Sequence, residues 1–301
     1  MTALRYASLP ADLRLQGEAL ALARRLPLLF ASARLVAGNV MHGLHGRRRA
    51  GVGENFWQFR PHTPSESAGR IDWRRSARDD RFYVREREWE AAQDVWLWMD
   101  RSPSMNFRTA TALDSKADRA LILGFAAAEL LVKAGERVGL LDGAPPRATR
   151  DMVSRLALTL TRQDEAATGA EWPAAEALPP RAQALIFTDG LSPAASICAG
   201  LARLAERGAR GHLLLIADPF EESFPFVGQT VLLDTDSPAR LRAGQAQDLR
   251  PLYQARLAEH RAKISAGALK LGWSCAVHRT DQPAAAALMA LAGRMAAMER
   301  I

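Results

Sequence analysis

Along the chain, solid apolar runs alternate with stretches whose apolar residues recur at helical spacing. Val95–Met99, Ala184–Phe187 and His212–Ala217 are short apolar runs, each closed by polar or turn-forming residues. Such runs predict strands covered on both faces, as in a parallel sheet. Shorter strands are expected over 136–142, 229–234 and 273–278. Between them, Leu121, Phe125, Ala128 and Val132 repeat with a helical period. Ser115 and Asp118 form a capping box at the start of that helix, and Gly135 stops it. Further helices are predicted over 149–160, 194–207, 248–271 and 283–298. In the fourth of these, Leu252, Ala255, Leu257 or Ala258, Ile264 and Leu271 should face the core. Strand–helix alternation over residues 91–301 predicts an α/β domain, a doubly wound and mostly parallel sheet flanked by helices.

Residues 1–90 read differently, as a basic extension of helices and short strands. Leu13–Leu26 and Leu28–Val40 carry helical spacing, broken at Pro27. Gly38, Gly43, Gly46 and the run Arg47–Arg49 mark a loop. His42 and His45 lie in it with no further ligand near, and are read as loop residues. Phe56 to Arg60 and Phe82 to Trp89 alternate in the manner of strands. Ile71–Arg74 between them reads as a turn or short helix. Aromatic rings beside arginines here fit internal cation–π packing better than base stacking.

Composition narrows the class. With 301 residues, 48% hydrophobic and 24% charged, the chain can bury one substantial core. No apolar run reaches the ~20 residues of a membrane span. The longest candidate, near Leu26 to Val40, is interrupted by Pro27, Arg34 and Gly38. The amino terminus lacks a basic start followed by a cleavable apolar core, so we expect no signal peptide and a cytoplasmic address. Cys198 and Cys275 have no metal-ligand spacing and read as small buried residues. The net charge of +7 is concentrated in residues 1–90, where 16 basic residues face 10 acidic ones. That imbalance admits nucleic acid or an anionic membrane surface as a partner, including peripheral membrane association. A solvated arginine-rich face is the favoured reading.

The chemistry is concentrated at two strand ends. Asp100, Ser102 and Ser104 follow the first apolar run at alternate positions, and Thr188, Asp189 and Gly190 close a later one. Ligands of open α/β sheets gather beyond the carboxyl ends of strands. Two hydroxyls and carboxylates make a hard donor set, suited to Mg²⁺ or Mn²⁺. The same residues are also ordinary turn formers.

The Asp-x-Ser-x-Ser and Thr-Asp-Gly elements together resemble the von Willebrand factor A fold and its metal-ion-dependent adhesion site. The resemblance implies Asp100, Ser102, Ser104 and Asp189 as the metal site, with Thr168 the best placed candidate for a separate threonine ligand. It also implies a cation with one coordination position open to a partner's acidic side chain.

A longer resemblance runs ahead of that strand. Glu54, Phe59-Arg60, Arg70-Ile71-Asp72-Trp73, Ser76-Ala77-Arg78 and Val84-Arg85-Glu86 occur in the order of domain-of-unknown-function family fifty-eight. The segment Asp218-Pro-Phe-Glu-Glu222 resembles the same family. One departure is Pro64-Ser-Glu-Ser67, where the family has Pro-Gly-Asp. This resemblance implies a MoxR-type AAA+ ATPase as partner, with the pair acting on an unidentified client protein.

Three function classes follow. The leading expectation is a non-enzymatic interaction module built on the metal site. A Mg²⁺-dependent phosphotransferase using Asp100 as nucleophile comes second, weakened because Ser102 stands where such enzymes want a second carboxylate. Nucleic-acid binding through the basic extension comes third and predicts steep salt dependence. Asp218, Glu221 and Glu222 are read as an acidic rim or solvated loop in preference to a second cation site.

Overall fold

A computed structural model describes residues 32–37, 58–63, 67–78, 81–86, 92–163, 172–173, 178–235 and 238–298. Thr168, His42, His45 and the arginine run 47–49 lie outside the described residues. The chain divides into two compact units, one drawn from residues 45–92 and the other from 1–44 with 93–301.

The smaller unit pairs β1 (Gln58–Pro61) antiparallel with β2 (Tyr83–Glu86). Between them a 3₁₀ turn (Ala68–Arg70) leads into a single helical turn, α1 (Trp73–Ser76). Asp72 caps that turn by accepting from the Arg75 N–H at 3.0 Å. The Arg75 guanidinium lies 4.7 Å from the centre of the Tyr83 ring. Arginine and aromatic residues therefore meet inside this unit, as cation–π packing requires.

The larger unit holds a five-stranded parallel sheet of β3 (Asp94–Met99), β4 (Arg137–Leu140), β5 (Gln183–Thr188), β6 (Arg210–Ala217) and β9 (Ser274–Arg279). The spatial order is β4-β3-β5-β6-β9. The chain thus steps from β3 to β4 on one side, then crosses back to β5 on the other. The gap between the ends of β3 and β5 is the topological switch point.

Side chains alternate faces along each strand. Leu97, Met99, Leu185, Phe187, Leu214 and Ile216 pack under α2 (Lys116–Lys133), α3 (Met152–Gln163) and α7 (Ala284–Met298). Trp98, Ala184, Ile186, Leu213 and Leu215 pack against α4 (Ala194–Ala205) and α6 (Ala246–Lys270). Both faces of the sheet are covered, which is why its strands read as unbroken apolar runs. The fold is α/β with a mostly parallel sheet flanked by helices, as expected. A small helix, α5 (Pro219–Ser223), follows β6, and a separate antiparallel hairpin joins β7 (Thr230–Leu233) to β8 (Arg240–Ala243).

Several local expectations need correcting. In α6, Ile264 is buried, but Leu252 is 53% exposed and Ala255 is exposed too. The first half of that helix therefore does not lie flat on the core. At the start of α2, Ser115 caps by accepting from the Asp118 N–H, but the Asp118 carboxylate takes the Ser115 hydroxyl at 2.9 Å. The carboxylate thus answers the cap through its hydroxyl. Cys198 and Cys275 are free but only half-buried. Among the described residues no helix is long and apolar enough to cross a membrane.

Candidate functional site

The register of the sheet brings the two strand-end motifs together. Met99 lies opposite Phe187, and the Asp100 N–H donates to the Phe187 carbonyl at 2.8 Å, carrying the ladder one residue further. Asp100 and Thr188 are therefore neighbours, and the Thr188 hydroxyl donates to Asp100 Oδ2 at 2.7 Å. Asp100 Oδ1 accepts from the Ser102 N–H at 2.9 Å, which folds the chain into a short 3₁₀ turn over Pro103–Asn106. That turn sets Ser102 Oγ 3.1 Å from Ser104 Oγ. Asp100 and Ser102 are each 1% exposed, and Ser104 is buried.

Beyond Thr188 the chain turns sharply at Gly190, whose φ of +65° favours glycine. The Gly190 N–H donates to Thr188 Oγ1, and the Leu191 N–H donates to Asp189 Oδ1 at 3.1 Å. Asp189 Oδ2 accepts from Lys116 Nζ at 2.9 Å. Lys116, at the first position of α2, has a fully buried side chain and also donates to Glu221 Oε1. Glu221 Oε2 in turn accepts from the Asp218 N–H at 2.8 Å, closing a capping box around α5. Asp218 is buried and accepts from both the N–H and the hydroxyl of Thr109.

The segment 218–222 is thus not a solvated loop: its first carboxylate is a structural clamp and Glu221 faces the site. Spacing alone gave no sign of Lys116. A lysine directly after a helix N-cap, where the helix dipole opposes its charge, is the signal that could have found it.

Electrostatics follow from this crowding. Burial pushes the Asp100 carboxyl up to about 6, assisted by the nearby Asp189 charge and opposed by the bonds from Thr188 and Ser102. Burial likewise raises the Glu221 carboxyl, with Lys116 pulling the other way. Burial disfavours the Lys116 ammonium, but Asp189 and Glu221 outweigh it and hold its pKa above the usual lysine value.

The donor set fits a hard cation in one respect that can be measured. Cis ligands of an octahedral Mg²⁺, each at about 2.0–2.1 Å, stand about 3 Å apart. The two serine hydroxyls share a hydrogen bond at 3.1 Å, a spacing that such an ion would also accept. Both carboxylates have their oxygens bonded within the protein, so they would support such an ion from behind the hydroxyls. Among the described residues no group of three or more His, Cys, Asp or Glu gathers as an alternative ligand cluster. Beside the serines opens a cleft of about 650 Å³, lined by Ser104, Lys116 and Asp189 and walled by Phe107, Phe220 and β7.

These features define an α/β protein with a hydroxyl-and-carboxylate site at the switch point of its sheet. Residues 58–263 match the family described as "Protein of unknown function DUF58", and the chain belongs to that family. It is 27% identical over 277 residues to uncharacterized protein Mb1516 of Mycobacterium bovis (strain ATCC BAA-935 / AF2122/97), across 87% of this chain and 86% of the relative. Uncharacterized protein Rv1480 of Mycobacterium tuberculosis (strain ATCC 25618 / H37Rv) shows the same identity and coverage. No solved structure matches the chain.

Proposed function

We propose that this protein is a non-enzymatic interaction module of von Willebrand A-like type, which binds an acidic group of a partner through a Mg²⁺ or Mn²⁺ ion at Ser102 and Ser104. Asp100 and Asp189 support that ion from the next layer of contacts. The observation that carries the reading is the meeting of both motifs at adjacent strand ends, with the serine oxygens at a spacing suited to one cation. A cation held mainly by hydroxyls and water keeps unquenched charge and attracts a further carboxylate. The cleft beside it supports docking of a partner segment, since Leu191, Val231 and Leu233 expose apolar surface there. Asp100 is a poor nucleophile in this setting, because it is buried and both of its oxygens accept hydrogen bonds.

The family resemblance points to a MoxR-type AAA+ ATPase as the partner, with an unidentified client protein. The test is binding of the cognate ATPase in Mg²⁺ and in EDTA by the wild type, Asp100→Ala and Ser102→Ala. Binding should require Mg²⁺ and fall at least about tenfold in folded variants. Equal binding in EDTA, or by both variants, would exclude a metal-bridged contact.

A further inference from the structure

We propose that Lys116 is a resident counter-cation of this site, holding the Asp189 carboxylate until a divalent ion takes it over. The inference rests on the metal-site reading above and adds a competitor to it. Its basis is the position of one ammonium: Lys116 Nζ sits on Asp189 Oδ2 at 2.9 Å with its side chain 0% exposed. The other Asp189 oxygen is taken by the Leu191 N–H. While the lysine stays, the negative charge that Asp189 can offer a cation at the serine pair is already largely neutralised.

The residue type is informative. Only four of the 40 basic residues are lysines, so a lysine at the most buried cationic position stands against the composition of the whole chain. An ammonium is a compact charge on a flexible stem, which can move between two acceptors without the fixed fork of an arginine. The structure supplies the second acceptor. Glu221 also binds Nζ and is itself fixed by the Asp218 N–H, while Asp218 is fixed by Thr109.

When a divalent ion arrives, Lys116 withdraws to Glu221 and the ion gains the charge of Asp189 from the next layer of contacts. One cation replaces another on the same carboxylate, so that buried negative charge is never left without a partner. Two carboxylates, Asp189 and Glu221, hold this one ammonium. Ion binding in the wild type must break a buried pair; in a variant lacking the lysine it fills an uncompensated pocket.

The experiment titrates MgCl₂ into the full chain by calorimetry, comparing wild type, Lys116→Met and Ser102→Ala, with melting curves in EDTA and in Mg²⁺. Lys116→Met should bind Mg²⁺ about tenfold more tightly than wild type. Its melting temperature should be lower than that of the wild type in EDTA and should rise more on adding Mg²⁺. Ser102→Ala should lose binding. Equal Mg²⁺ affinity in wild type and Lys116→Met overturns the lysine proposal while leaving the metal site standing. No binding in any variant overturns both. Should Lys116→Met not fold, lysine side-chain carbon NMR of the wild type decides, because four lysines give a resolvable spectrum. The Lys116 signal should shift as Mg²⁺ saturates, and an unmoved signal during binding overturns the proposal.

Discussion

The Thr188 hydroxyl donates to Asp100 Oδ2 at 2.7 Å, tying together two strand ends that lie 88 residues apart in the chain. It also accepts from the Gly190 N–H, so one side chain orders both halves of the site. Thr188→Val keeps the shape and removes the donor, leaving a buried carboxylate oxygen without its partner. We expect a loss of about 1–3 kcal/mol in denaturant unfolding, with Thr188→Ser close to wild type. A Thr188→Val protein as stable as wild type would mean that water replaces the bond.

Asp218 should matter more for order than its place after a strand suggests. It holds Thr109 through two bonds and caps α5, whose Glu221 reaches the site. Asp218→Ala should cost about 2–4 kcal/mol, combining a lost cap with buried donors left unpaired. Hydrogen exchange should quicken at the Thr109 and Phe220 amides. Unchanged protection there would show that the clamp is dispensable.

Acid should weaken the fold through two histidines. Burial pushes His212 and His278 down from 6.5 to about 4, with Arg294 and Arg119 respectively adding to the effect. The unfolded chain then binds more protons than the folded one between those values. Stability is therefore lost as pH falls from about 6.5 toward 4, by up to about 3 kcal/mol per ring. Asp100 runs the other way. Its carboxyl is raised to about 6, so its contribution is full below the ordinary value of 3.8 and is lost as pH rises through about 6. His278→Gln keeps an acceptor for Arg119, whose Nη1 lies 2.9 Å from the ring nitrogen, and removes one titration. Its unfolding free energy should vary less with pH between 4 and 6.5 than that of wild type. An unchanged slope would assign the acid sensitivity elsewhere.

Close backbone packing makes a further prediction at Gly211. A Cβ there would stand 2.4 Å from the Ala184 carbonyl oxygen and 2.6 Å from the Trp273 ring. The backbone cannot yield as a side-chain tip would, so Gly211→Ala should destabilise by about 2 kcal/mol or more. Gly244, which meets nothing within 4 Å, provides the control. Melting curves of the two alanine variants should differ clearly, and coincident curves would mean that β5 and β6 separate at little cost.

The central strands of this protein were legible because both faces of the sheet are covered there, which gives solid apolar runs such as Val95–Met99 or Leu213–Ala217; the exposed β8, Arg240–Ala243, carries no such run and was not expected. Ser115 and Gly135 marked the ends of α2 for equally local reasons: a side chain that bonds its own helix, and a residue free of Cβ strain. The acidic and hydroxyl tips of β3 and β5 could be named one by one, since chemistry at a strand end is written in the residue types. What the runs could not reveal was which strands are neighbours.

Only the crossover from β4 to β5 past β3 sets Asp100 beside Thr188, and only the packing of α2 and α5 around that gap brings Lys116 and Glu221 to Asp189. Each of those pairings joins residues 73 or more positions apart. Hydrophobic period reports the face a residue turns to the core; it carries no information about which distant carboxylate a buried ammonium will meet there. The exposure of Leu252 in α6 has the same cause, because that residue keeps its helical spacing whether or not the sheet extends far enough to cover it. Local patterning fixed the elements, and tertiary contact chose the company each charged group keeps.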